Sequence, residues 1–319
     1  MKEGLDVKGV IEFLSAMTEK TGYPVPAPSG FASRWSEGLD LPRDGSERLL
    51  FTGALYQLMP YLNAVVRLLE GLGGLPRVAL KSLTLLARQR PWALAGLVRP
   101  DGEEVRASEL ILRSIVVLLR RSGVDFAYVP EVSDLYSGAL LLDLGAVDAF
   151  EAHARRVSKA INSLNVSEVI TVDPHTALTL TIMRRRGLLR PSVRSYLELV
   201  SPVAVLRTGG FMVTVHDSCI YARDLDLWER SRNLLASALV QVLEARRSGR
   251  RTSCCGGPVE ALSPFMSRRV AEERLRELAR YSKVVVTMCP ICASNLSRAA
   301  ARLDGVRVVD LALVLSGSL

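Results

Sequence analysis

The chain has 319 residues, 49% of them hydrophobic and 23% charged, with a formal charge of +8. That length buries a substantial core and suits about two domains. There is no low-complexity tract and no like-charge run long enough for a tail, which excludes a disordered chain. The basic residues are scattered in pairs, aromatic residues are only 6%, and no recognition motif accompanies them, so nucleic acid is not the expected partner. A solvated Arg-rich surface, or a landing patch for an acidic redox partner, accounts for the positive balance.

Residues 1–44 read as a helix, "VKGVIEFLSAMTEK", followed by a turn-rich arm, "YPVPAPSGFASRWSEGLDLPRDG", that wraps the next domain. The first twenty residues carry acidic side chains and no small-residue cleavage site, which argues against a signal peptide. "LYQLMPYLNAVVRLL" and "ILRSIVVLLRR" are too short or too interrupted to span about 30 Å of hydrocarbon. The expectation is a cytoplasmic chain, with docking at the periphery of a membrane complex left open. Further on, "FEAHARRVSKAINSL" sets Phe150, Ala154, Val157, Ile161 and Leu164 at steps of four and three, an amphipathic helix on which His153 is expected to be exposed or half-buried.

All five cysteines lie beyond residue 218: Cys219, Cys254, Cys255, Cys289 and Cys292. "GFMVTVHDSC" is a β-branched run that puts Cys219 just past a strand end. "LWERSRNLLASALVQVLEARR" reads as one helix with Leu234, Leu235, Leu239, Val242 and Leu243 on a single face. "SGRRTSCCGGP" is a loop by its Gly, Ser and Pro content. "SRRVAEERLRELARY" is a helix with Ala271, Leu275 and Leu278 inward and Glu272 four residues before Arg276. "KVVVTM" is a buried strand, and Cys289-Pro290-Ile291-Cys292 is the turn into the helix "ASNLSRAAARL". Strand ends and helix starts of an α/β domain gather on one sheet edge, so five thiols distant in sequence meet there.

An odd number of cysteines without a secretion signal points to metal or redox chemistry rather than a disulfide framework. Zinc suits a Cys-x-x-Cys knuckle, but it takes four ligands and adjacent cysteines cannot easily both chelate it. A dithiol redox centre suits Cys-Pro-Ile-Cys at a strand-to-helix turn. That motif normally comes early in its domain, whereas here only "VRVVDLALVL" follows. An iron–sulfur cluster uses several thiolates and is stabilised by nearby backbone N–H groups. Gly256 and Gly257 let the backbone approach such a core closely.

Together "VHDSC", "SCCGGP" and "VVVTMCPICASNL" resemble the cysteine-rich CCG domain of the B-type and D-type subunits of heterodisulfide reductase. The same domain occurs in iron–sulfur subunits of glycolate, lactate and anaerobic glycerol-3-phosphate oxidising enzymes. The resemblance covers residues 205–319 and includes all five cysteines and a His-Asp-x-Cys start at His216, Asp217 and Cys219; the histidine often found after that cysteine is Ile220 here. It implies a non-cubane 4Fe-4S cluster, or zinc in some members, on Cys219, Cys254, Cys255, Cys289 and Cys292, with five ligands suiting the cluster better. His216 either donates to a cluster sulfide or caps the strand end. It also implies an oxidoreductase subunit working with a ferredoxin-like or flavoprotein partner on a small disulfide, hydroxy acid or alcohol. The alternative is a zinc-stabilised structural or interaction module. No Cys-x-x-Cys-x-x-Cys-x-x-x-Cys module is present, so electrons are exchanged with a separate protein.

Relatives usually carry two such domains, and residues 45–200 look like a first one without its cysteines, interrupted by an insertion near 73–110. "VITVDPHTALTL" lies over "VVTMCPICASNL", with Asp173 and Thr176 at the places of Cys289 and Cys292. "LYSGALLLDLG" lies over "SCCGGPVEALS", with Tyr136 and Ser137 at the thiol pair and Gly138 kept, and Ala54 stands where the first cysteine would be. The expected fold is therefore α/β: two pseudo-repeated domains with small parallel sheets and a cluster site at strand ends near their interface. The cysteine-free half either packs as a structural partner or presents Tyr136, Ser137, Asp173 and His175 as a polar substrate pocket. In that case Asp173, His175 and Tyr136 are the candidate catalytic groups.

Overall fold

Short β-branched runs build two separate sheets. The chain is described by a computed structural model covering residues 6–71, 77–207, 210–260 and 263–318. The first residues of the expected N-terminal arm, the start of the insertion at 73–76 and the last residue lie outside these ranges. Arg48–Phe51 (β1), Glu168–Thr171 (β2) and Ser192–Ser195 (β3) form a three-stranded parallel sheet in the order β1-β2-β3. Met212–Val215 (β4), Gln241–Val242 (β5), Val284–Thr287 (β6) and Arg307–Asp310 (β7) form a four-stranded parallel sheet in the order β5-β4-β6-β7.

The sheets repeat one plan. Ala127 makes a parallel bridge to Leu49 beside β1, the place β5 takes beside β4. The longer helices are Val7–Thr21 (α1), Leu55–Gly71 (α2), Arg77–Gln89 (α3), Gly102–Arg121 (α4), Val147–Asn162 (α5), Pro174–Arg185 (α6), Trp228–Ser237 (α7), Pro264–Leu278 (α8) and Pro290–Ala300 (α9). β2 passes through Asp173 and Pro174 into α6, and β6 passes through Cys289 and Pro290 into α9. In both, the proline sits in the first helical turn, where its missing N–H costs nothing. Gly138 (φ 91°) and Gly256 (φ 85°) start equivalent short helices in the left-handed conformation that glycine adopts freely. β1, β2 and β6 each begin with a half-buried residue and end with three buried ones, so their carboxyl ends lie deep in the molecule.

The α/β architecture with two small parallel sheets is as the sequence indicates. On α5, Phe150, Ala154, Val157 and Ile161 are buried, as are Ala271, Leu275 and Leu278 on α8, where Glu272 and Arg276 pair at 3.1 Å. Two expectations fail. The helix read through residue 247 stops at Ser237, because Leu239 turns left-handed (φ 59°) and the chain then runs along β4 as an edge strand. There Gln241 N–H donates to Phe211 O (3.2 Å) and Leu243 N–H to Val213 O (2.7 Å). β-branched Val240 and Val242 suit that strand, which local helical spacing does not reveal. His153 is buried rather than exposed or half-buried, and its Nε2 lies 2.7 Å from the Tyr136 carbonyl.

One hydrophobic core spans both halves, joining Leu50 and Ile170 of the first sheet to Val213 and Val286 of the second. The contact between the halves is reciprocal. Tyr56, at the start of α2, donates its hydroxyl to Asp310 Oδ2 (2.7 Å) at the end of β7. Tyr221, just after Cys219, bonds Ser195 Oγ (2.7 Å) at the end of β3. Ala54-Leu55-Tyr56 thus occupies in the first half the place of Cys219-Ile220-Tyr221 in the second, and each tyrosine reaches across to the other half. Around the first sheet, α1 packs on α3 and α5. In the arm, buried Trp35 directs Nε1–H at Asp134 Oδ1 (3.4 Å). Among the described residues no helix is long and apolar enough to cross a membrane.

Candidate metal centre

Cys219 follows β4, Cys254 and Cys255 lie in the loop before α8, Cys289 ends β6 and Cys292 sits in the first turn of α9. All five are thiols; Cys255, Cys289 and Cys292 are buried, Cys219 is half-buried and Cys254 exposed. Cys255 and Cys292 Sγ and a His216 ring nitrogen all lie within 4.8 Å of one another. The Gly256 N–H points at Cys254 Sγ (3.2 Å) and the Gly257 N–H at Cys255 Sγ (3.4 Å). Backbone donors therefore face sulfur, the arrangement that stabilises negative charge on a thiolate or cluster.

Both glycines also have a packing reason. A Cβ on Gly256 would sit 2.6 Å from the Ser267 carbonyl oxygen, and one on Gly257 would overlap the Ile291 side chain. The cysteine loop is pressed onto α8 and α9. Asn295 pins it there, donating from Nδ2 to Cys255 O (2.7 Å) and Ser267 Oγ (3.0 Å). Asp217 braces the opposite side: it pairs with Arg232, accepts the Gly249 N–H (2.7 Å) at Oδ2, and its carbonyl accepts the Thr252 hydroxyl (3.1 Å).

His216 is held by a residue that sequence reasoning passed over. The Arg274 guanidinium is only 1% exposed and donates Nε–H to His216 Nδ1 (3.1 Å) and Nη1–H to Glu277 Oε2 (3.0 Å). With Nδ1 accepting, a neutral imidazole carries its proton on Nε2. In that form His216 can donate from Nε2 toward Cys255, whose thiol it helps to hold low. The sequence did hold the signal, because Arg274 and Asn295 each fall on the apolar face of their helix, beside Ala271 and Leu275 and beside Cys292 and Leu296.

The thiols are electrostatically coupled. Hydrogen bonds from Cys254 and Cys292, with help from His216, hold Cys255 well below the ordinary thiol range. Burial opposes ionisation of Cys289, but the Cys292 hydrogen bond and the neighbouring His175 bring it down to about 5. Cys254 is raised by its hydrogen bond to Cys255, and Cys292 by its bonds to Cys255 and Cys289. Burial raises Cys219, reinforced by Cys289 and Cys255. The protein groups thus favour the thiolate at Cys255 and Cys289 and the thiol at the other three, which a thiophilic cation would ionise.

Of the groups in the cysteine-free half, His175 joins the centre. Burial disfavours its charge, yet the Cys289 thiolate and Asp143 raise it well above the usual imidazole value. Its Nδ1 lies 3.0 Å from Asp143 Oδ2 but out of line for a hydrogen bond. Asp173 is fully buried. Its Oδ1 accepts the Thr176 N–H (3.0 Å) and its Oδ2 has no partner, and burial raises it to about 6 against the Thr176 bonds. Tyr136 is fully buried, and burial, reinforced by the nearby Asp143 and Asp173, raises its hydroxyl. Its hydroxyl accepts the Leu140 N–H (2.6 Å), and its ring packs in the apolar cluster with Leu14, Val25 and Tyr61. Ser137 and Thr176, at the places of Cys255 and Cys292, bond each other through their hydroxyls (3.2 Å). Gly53 is pressed against Thr176 so closely that a Cβ would overlap it. That half is closed by oxygen contacts where the other brings sulfur together.

Residues 213–297 match the CCG family, described as a cysteine-rich domain, and all five cysteines fall inside the match. This segment is a CCG cysteine-rich domain. The chain is also 26% identical over 236 residues to the "EtfAB:quinone oxidoreductase" of Syntrophomonas wolfei, covering 67% of this chain and 32% of that protein. It is 26% identical over 217 residues to a "Probable membrane-anchored ferredoxin" of Chromohalobacter salexigens, covering 61% and 31%. It is 25% identical over 226 residues to the "Probable iron-sulfur-binding oxidoreductase FadF" of Bacillus subtilis, covering 66% and 32%. The chain spans about a third of the length of these curated relatives. Each matched stretch is far longer than the CCG domain, so the likeness reaches into the cysteine-free half.

Proposed function

We propose that Cys219, Cys254, Cys255, Cys289 and Cys292 hold one iron–sulfur cluster, of the non-cubane 4Fe-4S type, and that the chain is an oxidoreductase subunit. The observation that carries this reading is the gathering of five coupled thiols with backbone N–H groups aimed at two of the sulfurs. The donor set fits: soft thiolates at five positions exceed what tetrahedral zinc takes. Buried polar atoms without partners, Asp173 Oδ2, Tyr196 Oη and Ser218 Oγ, lie on residues following the strands. Such a cluster, when bound, supplies one-electron transfer at a thiolate-held site. The protein's own part is to aim the Gly256 and Gly257 amides at Cys254 and Cys255 and to place the His175 and His216 rings beside Cys289 and Cys255.

This reading takes residues 1–44 as an arm, 45–200 as a degenerate CCG-like domain and 205–319 as the CCG domain. Electrons pass to or from a separate ferredoxin-like or flavoprotein partner. The relatives' names add a quinone and a membrane-anchored ferredoxin as candidates, with peripheral association as the membrane mode. The small-molecule substrate is a disulfide, a hydroxy acid or an alcohol. Asp173, His175 and Tyr136 stand at its site, with Asp143 and Asp173 both near the Tyr136 hydroxyl. Because every cysteine lies in the second half, chemistry that needs two clusters is outside this chain's reach.

A second reading, a zinc module, is favoured by the group His216, Cys255 and Cys292. The Arg274 bond to His216 Nδ1 counts against it, since it leaves the other ring nitrogen protonated. The redox reading is tested by potentiometric titration of anaerobically prepared protein, which should show a reversible paramagnetic signal. His175→Gln should lower its midpoint potential, because removing a cation beside Cys289 disfavours the more negative reduced state. No redox-active signal, or an unchanged potential in the variant, would contradict the assignment of these roles.

A further inference from the structure

Beside the thiol centre an apolar cavity of about 180 Å³ opens among α1, α2, α3 and the segment Pro91–Leu97. Val10, Phe13, Leu62, Val66 and Leu83 are among its walls. Leu68 and Leu97 line it while remaining 47% and 61% exposed, so its mouth is apolar too. Three other lining residues tie it to the centre. Gly257 follows the Cys254–Cys255 pair, Ile291 separates Cys289 from Cys292, and Asp143 is the carboxylate beside His175. An aliphatic cavity of about 150 Å³ already stays dry and takes up a benzene-sized molecule, so this one suits a hydrocarbon chain.

Charge narrows the class of ligand. The ionisable residues of the lining are Asp6, Asp143 and Glu260, with no basic residue among the described ones. Glu260 already holds Arg298 and Asp143 lies 3.0 Å from His175, so a carboxylate or phosphate head would find no cation in this lining and would be buried unpaired in a poorly solvated space. A neutral head that donates a hydrogen bond would find an acceptor in Asp143. We propose that this cavity binds a neutral lipophilic amphiphile, an alkyl or prenyl chain bearing a hydroxyl, thiol or hydroquinone-type head, with the head at Asp143. As a substrate of the centre this ligand rests on the redox reading above, whereas binding itself rests on the cavity alone.

Calorimetric titration of the full chain with 1-decanol and with decanoate tests it. Saturable binding of 1-decanol is expected, with decanoate weaker by at least about tenfold. Val66→Trp, on a half-buried wall position, should fill the cavity and weaken 1-decanol by a similar factor while metal content stays at the wild-type level; Leu83→Phe is the second filler should the first not fold. Absence of saturable 1-decanol binding to the folded protein, or undiminished binding to a folded filler variant, would overturn the proposal. Decanoate binding as tightly as 1-decanol would overturn the placement of the head at Asp143. Metal content measured on the same samples separates the two readings: 1-decanol bound without iron upholds the cavity and sinks the cluster, and iron without 1-decanol does the reverse.

Discussion

Cys289→Ser is expected to lower iron retention by at least about 10–100-fold, since loss of an outer-shell partner alone commonly costs that much and here a direct ligand is removed. Cys289 ends β6, is fully buried, and is held as thiolate near neutral pH against the cost of burial by Cys292 and His175. A serine hydroxyl at the same place stays protonated and offers no soft donor. The counterpart substitutions in the first half, Ser137→Ala and Thr176→Val, should leave iron retention unchanged, because their hydroxyls bond only each other and local groups. Iron and sulfide assays on anaerobically reconstituted variants give the comparison. Equal retention by Cys289→Ser and wild type would place the cluster elsewhere.

Gly256→Ala is expected to be the most destabilising change at the site that removes no ligand. The residue sits at φ 85°, where a Cβ costs about 1–2 kcal/mol. The new methyl would also lie 2.6 Å from the Ser267 carbonyl oxygen, a backbone atom of α8 that cannot swing aside. Such overpacking adds about 1–3 kcal/mol. Relief requires the loop to lift from α8 and α9, which withdraws the Gly256 N–H from Cys254 Sγ and strains the Asn295 bond to Cys255 O. Denaturant unfolding should show the loss of stability together with impaired metal uptake. A change within about 0.5 kcal/mol would mean that the loop does not need its left-handed turn.

Much of this site was legible because its signals are local. Apolar β-branched runs ending at Cys219 and Cys289 mark strand ends, and parallel strands deliver those ends to one edge. The repeat was legible because Val, Thr and Pro around Asp173 match those around Cys289, and the structure places both as caps of equivalent helices. What escaped was decided by long-range pairing. Gln241 and Val242 leave the expected helix to line β4, and His153 is buried beside a carbonyl seventeen residues away. The crossed bonds from Tyr56 to Asp310 and from Tyr221 to Ser195 have no local signature, since neither partner shares an element with the other. Arg274 was visible as a charge on an apolar face, but its bond to His216 needed the assembled domain.

Those crossed tyrosines tie the cysteine-free half to the other. The first half brings His175 to Cys289 and Tyr56 to Asp310, whose carboxyl is raised to about 7 by burial against the Tyr56 bond. At the corresponding place in the first half, Ser137 and Thr176 bond each other and Gly53 packs on Thr176.

Metal analysis of protein purified without exposure to oxygen bears most directly on the five-thiol centre. About four irons with matching sulfide per chain is the expected result. One zinc and no iron would contradict it.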